Sequence, residues 1–260
     1  MSKYTLYKIF LLFIILVLIF NYYNIEHFEN NIPLNLFHTW KYKEVPPKMQ
    51  ESINKLKNEN PEFNYYLFDD NDCREFIKKH FNNDVLYAYD SLIPGAFKAD
   101  LFRYCVLYIM GGIYLDIKYY TVNNFKLISL TDKEYFVRDI DSSGGGIYNA
   151  FMICEKGNQK MYNCIYKIVN NVKNKFYGNS VFEPTGPLLL LTEFNEEELN
   201  NLPNISLSEL DCPTKTCISM DNKPILAIYK EYREEQKDFF SKENTKYYYD
   251  LWNERKIYVE

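Results

Sequence analysis

Between Pro33 and Phe81 the chain alternates short β-type runs with longer helical ones, an order that leaves few architectures open. "IPLNLFHTW" reads as a buried strand, with Pro33 at its start where a missing N–H is tolerated. "PPKMQESINKLKNENP" follows as a helix opened by Pro47 and stopped before Pro61, and "FNYYLFDD" is a second strand. "DDNDCREFIKKHF" then offers Asp and Asn caps ahead of a further helix. Strand, helix, strand, helix predicts a parallel sheet with helices on its faces, and so an α/β fold.

The segment "ADLFRYCVLYIMGGIYLDIKYY", residues 99–120, comes next. Phe97 to Met110 is apolar on most faces, as a helix buried inside such a domain would be. The chain has only 9 glycines and places two of them together here. Gly111 and Gly112 are predicted to end the helix with positive dihedrals, and the short buried strand "IYLD" follows at once. Asp116 is thereby delivered to the C-terminal end of a strand, where open α/β sheets place their ligands. Asp100 and Arg103 stand three apart on one helix face, aimed toward Asp116. A structural ion pair is the plain alternative for an isolated D-x-x-R.

Further strands are expected at "EYFVRDID" and "GGGIYNAFMIC", joined by a glycine-rich turn. "NQKMYNCIYKIVNNVKNK" reads as an amphipathic helix, and Pro187 opens a short apolar one after Thr185 and Gly186. The last sixty residues read as short strands and an ordered aromatic segment, "YYYDLWNERKIYVE". One catalytic-sized domain, residues 33–260, accounts for all of this.

Ahead of it, Ile9 to Phe20 is unbroken apolar sequence, and the twenty residues from Tyr4 to Tyr23 that contain it are long enough as a helix, about 30 Å, to span a bilayer. No small-residue cleavage pattern follows, so residues 1–23 read as an uncleaved signal anchor and 24–32 as a linker. Lys3 and Lys8 precede the apolar run while Glu26 and Glu29 follow it, a single-pass type II orientation with the domain in a lumen. The net charge of -5, without a basic stripe, argues against nucleic acid as a partner. Six cysteines are too sparse for a disulfide scaffold; Cys212 and Cys217 could close one small loop, and zinc lacks a second ligand pair of matching spacing.

The string A-D-x-x-R-Y, apolar helix, G-G-x-Y-x-D is far more specific than its members. It resembles the DXD-containing glycosyltransferases of GT-A fold, in particular the Och1-like sugar transferases of family 32 and, more distantly, the glucosylating domain of the large clostridial toxins. The resemblance runs from about residue 32 to 195, and "DLWNERKIY" is similar to the group's closing segment. It implies a Rossmann-like GT-A catalytic domain that transfers a hexose from a UDP- or GDP-sugar to a glycan, protein or lipid hydroxyl, with retention. It further implies that Asp100 and Arg103 hold donor-sugar hydroxyls, that Tyr114 and Asp116 lie against the nucleotide sugar, and that Phe37, His38, Thr39 and Trp40 line base and ribose. Asn149 and Trp252 fall to the sugar side and the closing loop. For His38, Trp40, Asn149 and Trp252 a purely structural role is equally open.

The chain departs from the family at "DIK": Lys118 stands where the second acid of D-x-D usually ligates Mn²⁺ or another divalent cation. Three readings stay open. Asp116 and a C-terminal residue such as Asp250 hold a metal; the Lys118 ammonium replaces it; or the protein is a non-catalytic sugar-nucleotide or glycan binder. A phosphohydrolase with Asp116 as nucleophile would need an acid where Lys118 stands.

Overall fold

The computed structural model describes residues 31–139 and 145–260. The segment Tyr4 to Tyr23 lies outside the described residues; among these, no helix is long and apolar enough to cross a membrane. The expected opening alternation is present: β1 (Asn35–Thr39), α1 (Pro47–Glu59), β2 (Asn64–Phe68) and α2 (Asp70–His80). Asp69 caps α2 by accepting from the Asp72 backbone N–H, and the Asp72 side chain returns the bond to the Asp69 backbone. Two helices follow, α3 (Asn83–Ser91) and α4 (Gly95–Met110), then β3 (Gly112–Leu115) and β4 (Tyr119–Thr121). Beyond them lie β5 (Tyr135–Asp139), β6 (Gly146–Cys154), α5 (Gln159–Lys173), α6 (Pro187–Leu191) and α7 (Glu196–Asn200). The chain ends in β7 (Ile205–Ser208), β8 (Cys217–Met220), β9 (Lys223–Ile228), α8 (Tyr232–Glu243) and α9 (Tyr248–Asn253).

Among the described residues the strands form one sheet of order β2-β1-β3-β6-β5-β7-β8-β9-β4. Only part of it meets the parallel expectation. β1 pairs in parallel with β2 and β3, but β6 runs antiparallel to both β3 and β5, and the β7-β8-β9-β4 ribbon is antiparallel throughout. The physical reason is the connection: an α-helical crossover returns the chain for a parallel neighbour, whereas β6 follows an excursion through β4, a short 3-10 turn and β5 with no α-helix among the described residues. The fold is mixed α/β. Alternate residues of the central strands enter different cores: Phe37, Tyr114 and Met152 pack with α2 to α5, while Leu36, Ile113, Leu115 and Ile153 pack with Leu56 of α1 and with Leu127 and Leu130.

Two details place the site. Gly111 and Gly112 have φ of 64° and 121°, and a Cβ on either would stand 2.6 Å from the Lys156 N or 2.5 Å from the Asn35 O. Their use is structural: they let the chain turn sharply out of α4 into a strand wedged against β1. The other detail is the sheet's closure. β3 and β4 are third and last in strand order, yet only Asp116, Ile117 and Lys118 lie between them. Three residues bridge no more than about 14 Å, so the sheet curls until its far edge returns to its middle. The "DIK" tripeptide is the seam.

Candidate active site

A cleft of about 1680 Å³ opens over that seam. Its floor is α4, the end of β3 and β6; its walls come from the loop after β1, from Gly186 and Pro187 and from α8 and α9. Asp100 sits one turn into α4, and Arg103 three residues on points the same way. The Arg103 guanidinium donates to the Asn149 carbonyl at 2.8 Å and to the Ala99 carbonyl at 3.2 Å, and lies over the Tyr114 ring at 4.6 Å. One of its terminal nitrogens stands 3.3 Å from Asp100 Oδ1 and 3.4 Å from Asp116 Oδ1. Asp100 accepts from Asn149 Nδ2 at 2.9 Å and from Thr185 Oγ1 at 2.7 Å. The same Asn149 amide donates to the Tyr104 hydroxyl at 3.1 Å. Four separate elements thus converge on one buried ionic network.

Asp116 is the less enclosed carboxylate, with side-chain exposure of 23% against 12% for Asp100. It accepts from Lys118 Nζ at 2.8 Å and from the Tyr114 hydroxyl at 3.4 Å, and that hydroxyl also bonds Thr39 Oγ1 at 2.9 Å. Burial pushes the Asp100 carboxyl up to about 6 against the opposing pull of Arg103, Thr185 and Asn149. Burial acts on Asp116 in the same direction, but Lys118 and Arg103 together outweigh it and hold that carboxyl below the usual range. Burial would lower the Lys118 ammonium, yet Asp116 holds it above its ordinary value.

The other residues singled out in the sequence divide. Thr39, Trp40, Tyr114, Lys118 and Asn149 line the cleft together with Asp100, Arg103 and Asp116. Phe37 does not; it is buried in the core against Tyr66 and Phe68. His38 is fully buried, with Nδ1 3.0 Å from the Tyr65 hydroxyl, and burial pulls it down to about 3 despite the nearby Asp116, so the ring stays neutral. Trp252 anchors α9 by donating Nε1 to the Tyr177 carbonyl at 2.7 Å, and neither it nor the exposed Asp250 is among the cleft-lining residues. From α9 the cleft instead receives Tyr248 and Leu251. Cys212 and Cys217 are bridged.

Sequence reasoning did not anticipate the α8 wall, where Tyr232, Gln236, Phe239 and Phe240 face the cleft. Their spacing of four, seven and eight residues was the available signal. Phe239 packs on Trp40 with centroids 4.9 Å apart, and Lys41 pairs with Glu243 across the same contact between α8 and the loop after β1. Tyr148 was also missed: its hydroxyl pairs with that of Tyr119 at 2.9 Å beneath Lys118.

A divalent cation fits this arrangement poorly. Among the described residues no group of three or more His, Cys, Asp or Glu side chains is placed to hold a metal ion. Both oxygens of Asp116 already face cations, and Asp250 is not among the cleft-lining residues.

Residues 46–137 match the family model described as the glycosyltransferase sugar-binding region containing DXD motif. The chain is related to the DXD-type glycosyltransferases. Asp100, Arg103, Asp116 and Lys118 all fall within the matched DXD region. Over 172 residues the chain is 32% identical to inositol phosphoceramide mannosyltransferase 3 of Schizosaccharomyces pombe, covering 65% of this chain and 47% of that protein. Over 91 residues it is 32% identical to the initiation-specific alpha-1,6-mannosyltransferase of Candida albicans, covering 33% and 24%. The chain therefore spans half or less of the length of these two relatives. Among solved structures, PaToxG glycosyltransferase superposes with a TM-score of 0.49 at 14% identity, over 68% of this chain and 76% of that one.

Proposed function

We propose that the protein transfers a hexose from a UDP- or GDP-sugar to a hydroxyl of a glycan, protein or lipid, with retention at the anomeric carbon. The observation that carries this is the Asp100–Arg103–Asp116 network at the floor of the cleft. It is buried, ionised and tied to four elements, and it ends in a carboxylate that still reaches the open space. Structural ion pairs of this kind are weak contributors to stability, so a network placed under a cleft is better explained by what it holds.

In this reading the Asp100 carboxylate and the Arg103 guanidinium fix sugar hydroxyls, with Asn149 and Thr185 setting the orientation of Asp100. Thr39 and Trp40 border the nucleotide side. The bond between the anomeric carbon and the diphosphate oxygen breaks, its electron pair leaving on the diphosphate. The acceptor oxygen bonds to that carbon from the same face, and its proton passes to the departing diphosphate. Retention is the stereochemistry that the family resemblance implies, and it is part of this reading.

The names of the two relatives make a mannosyl donor the first to test. The full chain in mild detergent, given a panel of UDP- and GDP-hexoses with glycan and lipid acceptors, is expected to release nucleotide and form a glycosylated product. Nucleotide binding without turnover of any donor would favour the second reading, a non-catalytic binder, which the lysine in the D-x-D position motivates. We assign the Tyr4 to Tyr23 segment as a membrane anchor and the domain to a secretory lumen. Protease protection in sealed microsomes checks that topology, and digestion from the cytosolic side would remove it.

A further inference from the structure

We propose that Lys118 takes the place of the divalent cation, its ammonium compensating the departing diphosphate, so that donor binding and transfer proceed without metal. This rests on the transferase reading and specifies how its leaving group is stabilised. A diphosphate leaving with an extra electron pair needs fixed positive charge beside it, and either a metal or a positioned ammonium supplies that.

Three observations lead here. Lys118 is part of the three-residue seam between β3 and β4, so its backbone is clamped: the Tyr119 N–H donates to the Asp116 carbonyl at 3.0 Å and the Tyr229 N–H donates to the Lys118 carbonyl at 3.0 Å. The ammonium stands 5.2 Å from the Tyr119 ring centroid and 5.5 Å from that of Tyr148, two rings locked to each other through their hydroxyls. It is an oriented charge, not one on a free arm. Its side chain is 14% exposed and lines the cleft.

Lys118 also keeps unused donor capacity. Among the described residues Asp116 Oδ2 is its one hydrogen-bond acceptor, at 2.8 Å, while an ammonium has three N–H groups. The free pair is available to phosphate oxygens. Finally, the donor set disfavours a metal. Asp116 is flanked by Lys118 on one oxygen and Arg103 on the other, and a doubly charged ion placed there would meet two cations at close range. Lys118 fills the position from which a second carboxylate would reach the ion.

Isothermal titration of UDP and of GDP onto the full chain, in EDTA and in Mn²⁺, tests this apart from turnover. The wild type is expected to bind one of the nucleotides equally in both buffers. Lys118→Ala should weaken that binding roughly ten- to hundredfold, the usual effect of losing a charge-assisted contact, and Lys118→Arg should restore much of it. Lys118→Asp should bind nucleotide only with Mn²⁺, since two carboxylates and a diphosphate can share a cation. Circular dichroism melts of each variant accompany the titrations. Binding by the wild type that requires Mn²⁺ would overturn the inference and leave the transferase reading standing. So would a folded Lys118→Ala that binds as well as wild type in EDTA. Failure of both nucleotides to bind in either buffer removes the donor reading itself, and the inference with it.

Discussion

Asp100 and Asp116 approach the same terminal nitrogen of Arg103, at 3.3 and 3.4 Å, yet their carboxyls are displaced in opposite directions. Burial favours the neutral acid at both. Asp116 has Lys118 as a second cation, and the two together overcome desolvation; Asp100 has one guanidinium and two neutral donors, and desolvation prevails. The number of full charges facing a buried carboxylate, more than its count of hydrogen bonds, decides whether it rests as a stable anion. Asp100 is therefore held ionised at neutral pH at some cost to the fold, as expected of a group kept for binding. Asp116 rests as a stable anion at the seam, between Lys118 and Arg103.

The largest effect should come from removing the shared cation. Arg103→Met leaves Asp100 without a charged partner in a dry site and is expected to destabilise the domain by about 3–5 kcal/mol, read by urea unfolding at pH 8. If Arg103→Met unfolds with wild-type stability, the guanidinium is not what holds either acid.

Asp100→Asn should separate function from stability. The amide oxygen still accepts from Asn149, and the Thr185 hydroxyl can rotate to accept from the new NH₂. The fold should change by less than about 1 kcal/mol while turnover falls by roughly 10²- to 10³-fold, the loss typical of a charged contact to the reacting group. Near-normal transfer by the folded variant would return Asp100 and Arg103 to the status of a structural bridge.

These residues were legible in the sequence because they lie in one short block where helix period and a glycine pair fix their relative placement. Asn149 was legible through its strand, and Thr185 only as a residue ahead of Pro187. The sheet's mixed direction was not, because a buried strand such as "NAFMIC" has the same apolar pattern whichever way its neighbours run. Nor was the curl that makes "DIK" a seam: it depends on β4 pairing with β9, whose paired residues are about a hundred positions apart. Trp252 and Asp250 were assigned through the resemblance of the last segment to the group's closing segment, but α9 turns Tyr248 and Leu251 to the cleft instead.

A pH series sharpens the contrast further. The Asp100 carboxyl is raised to about 6 in the folded protein, above its ordinary 3.8. Its protonated form is thus favoured by folding: the stability it contributes is fully present below about 4 and is lost as pH rises through 6. Activity should move the other way, with kcat/KM falling as pH drops through about 6 because the sugar loses an ionised acceptor. Asp116, lowered, contributes stability above the ordinary carboxylate range and loses it only in stronger acid. An activity profile flat from pH 5 to 8 would contradict the role given to Asp100.

The smallest expected effect isolates the neutral donors. Thr185 is buried and gives Asp100 Oδ2 a 2.7 Å bond that favours the anion. Thr185→Val keeps the volume and removes the donor, so the Asp100 carboxyl should rise further. A bond to a charged group is worth about 1.5 kcal/mol, close to one pKa unit, and the acid limb of kcat/KM should move up by up to that amount. The fold should lose about 1 kcal/mol at pH 8 and less at pH 5, where Asp100 is largely protonated and no longer needs the donor as an anion does. Stability curves at the two pH values, with the activity profile, give the check. A limb that stays at the wild-type pH in a variant destabilised at pH 8 would mean that Asp100 is not the group whose ionisation the activity follows, and would transfer that role to another carboxylate of the cleft.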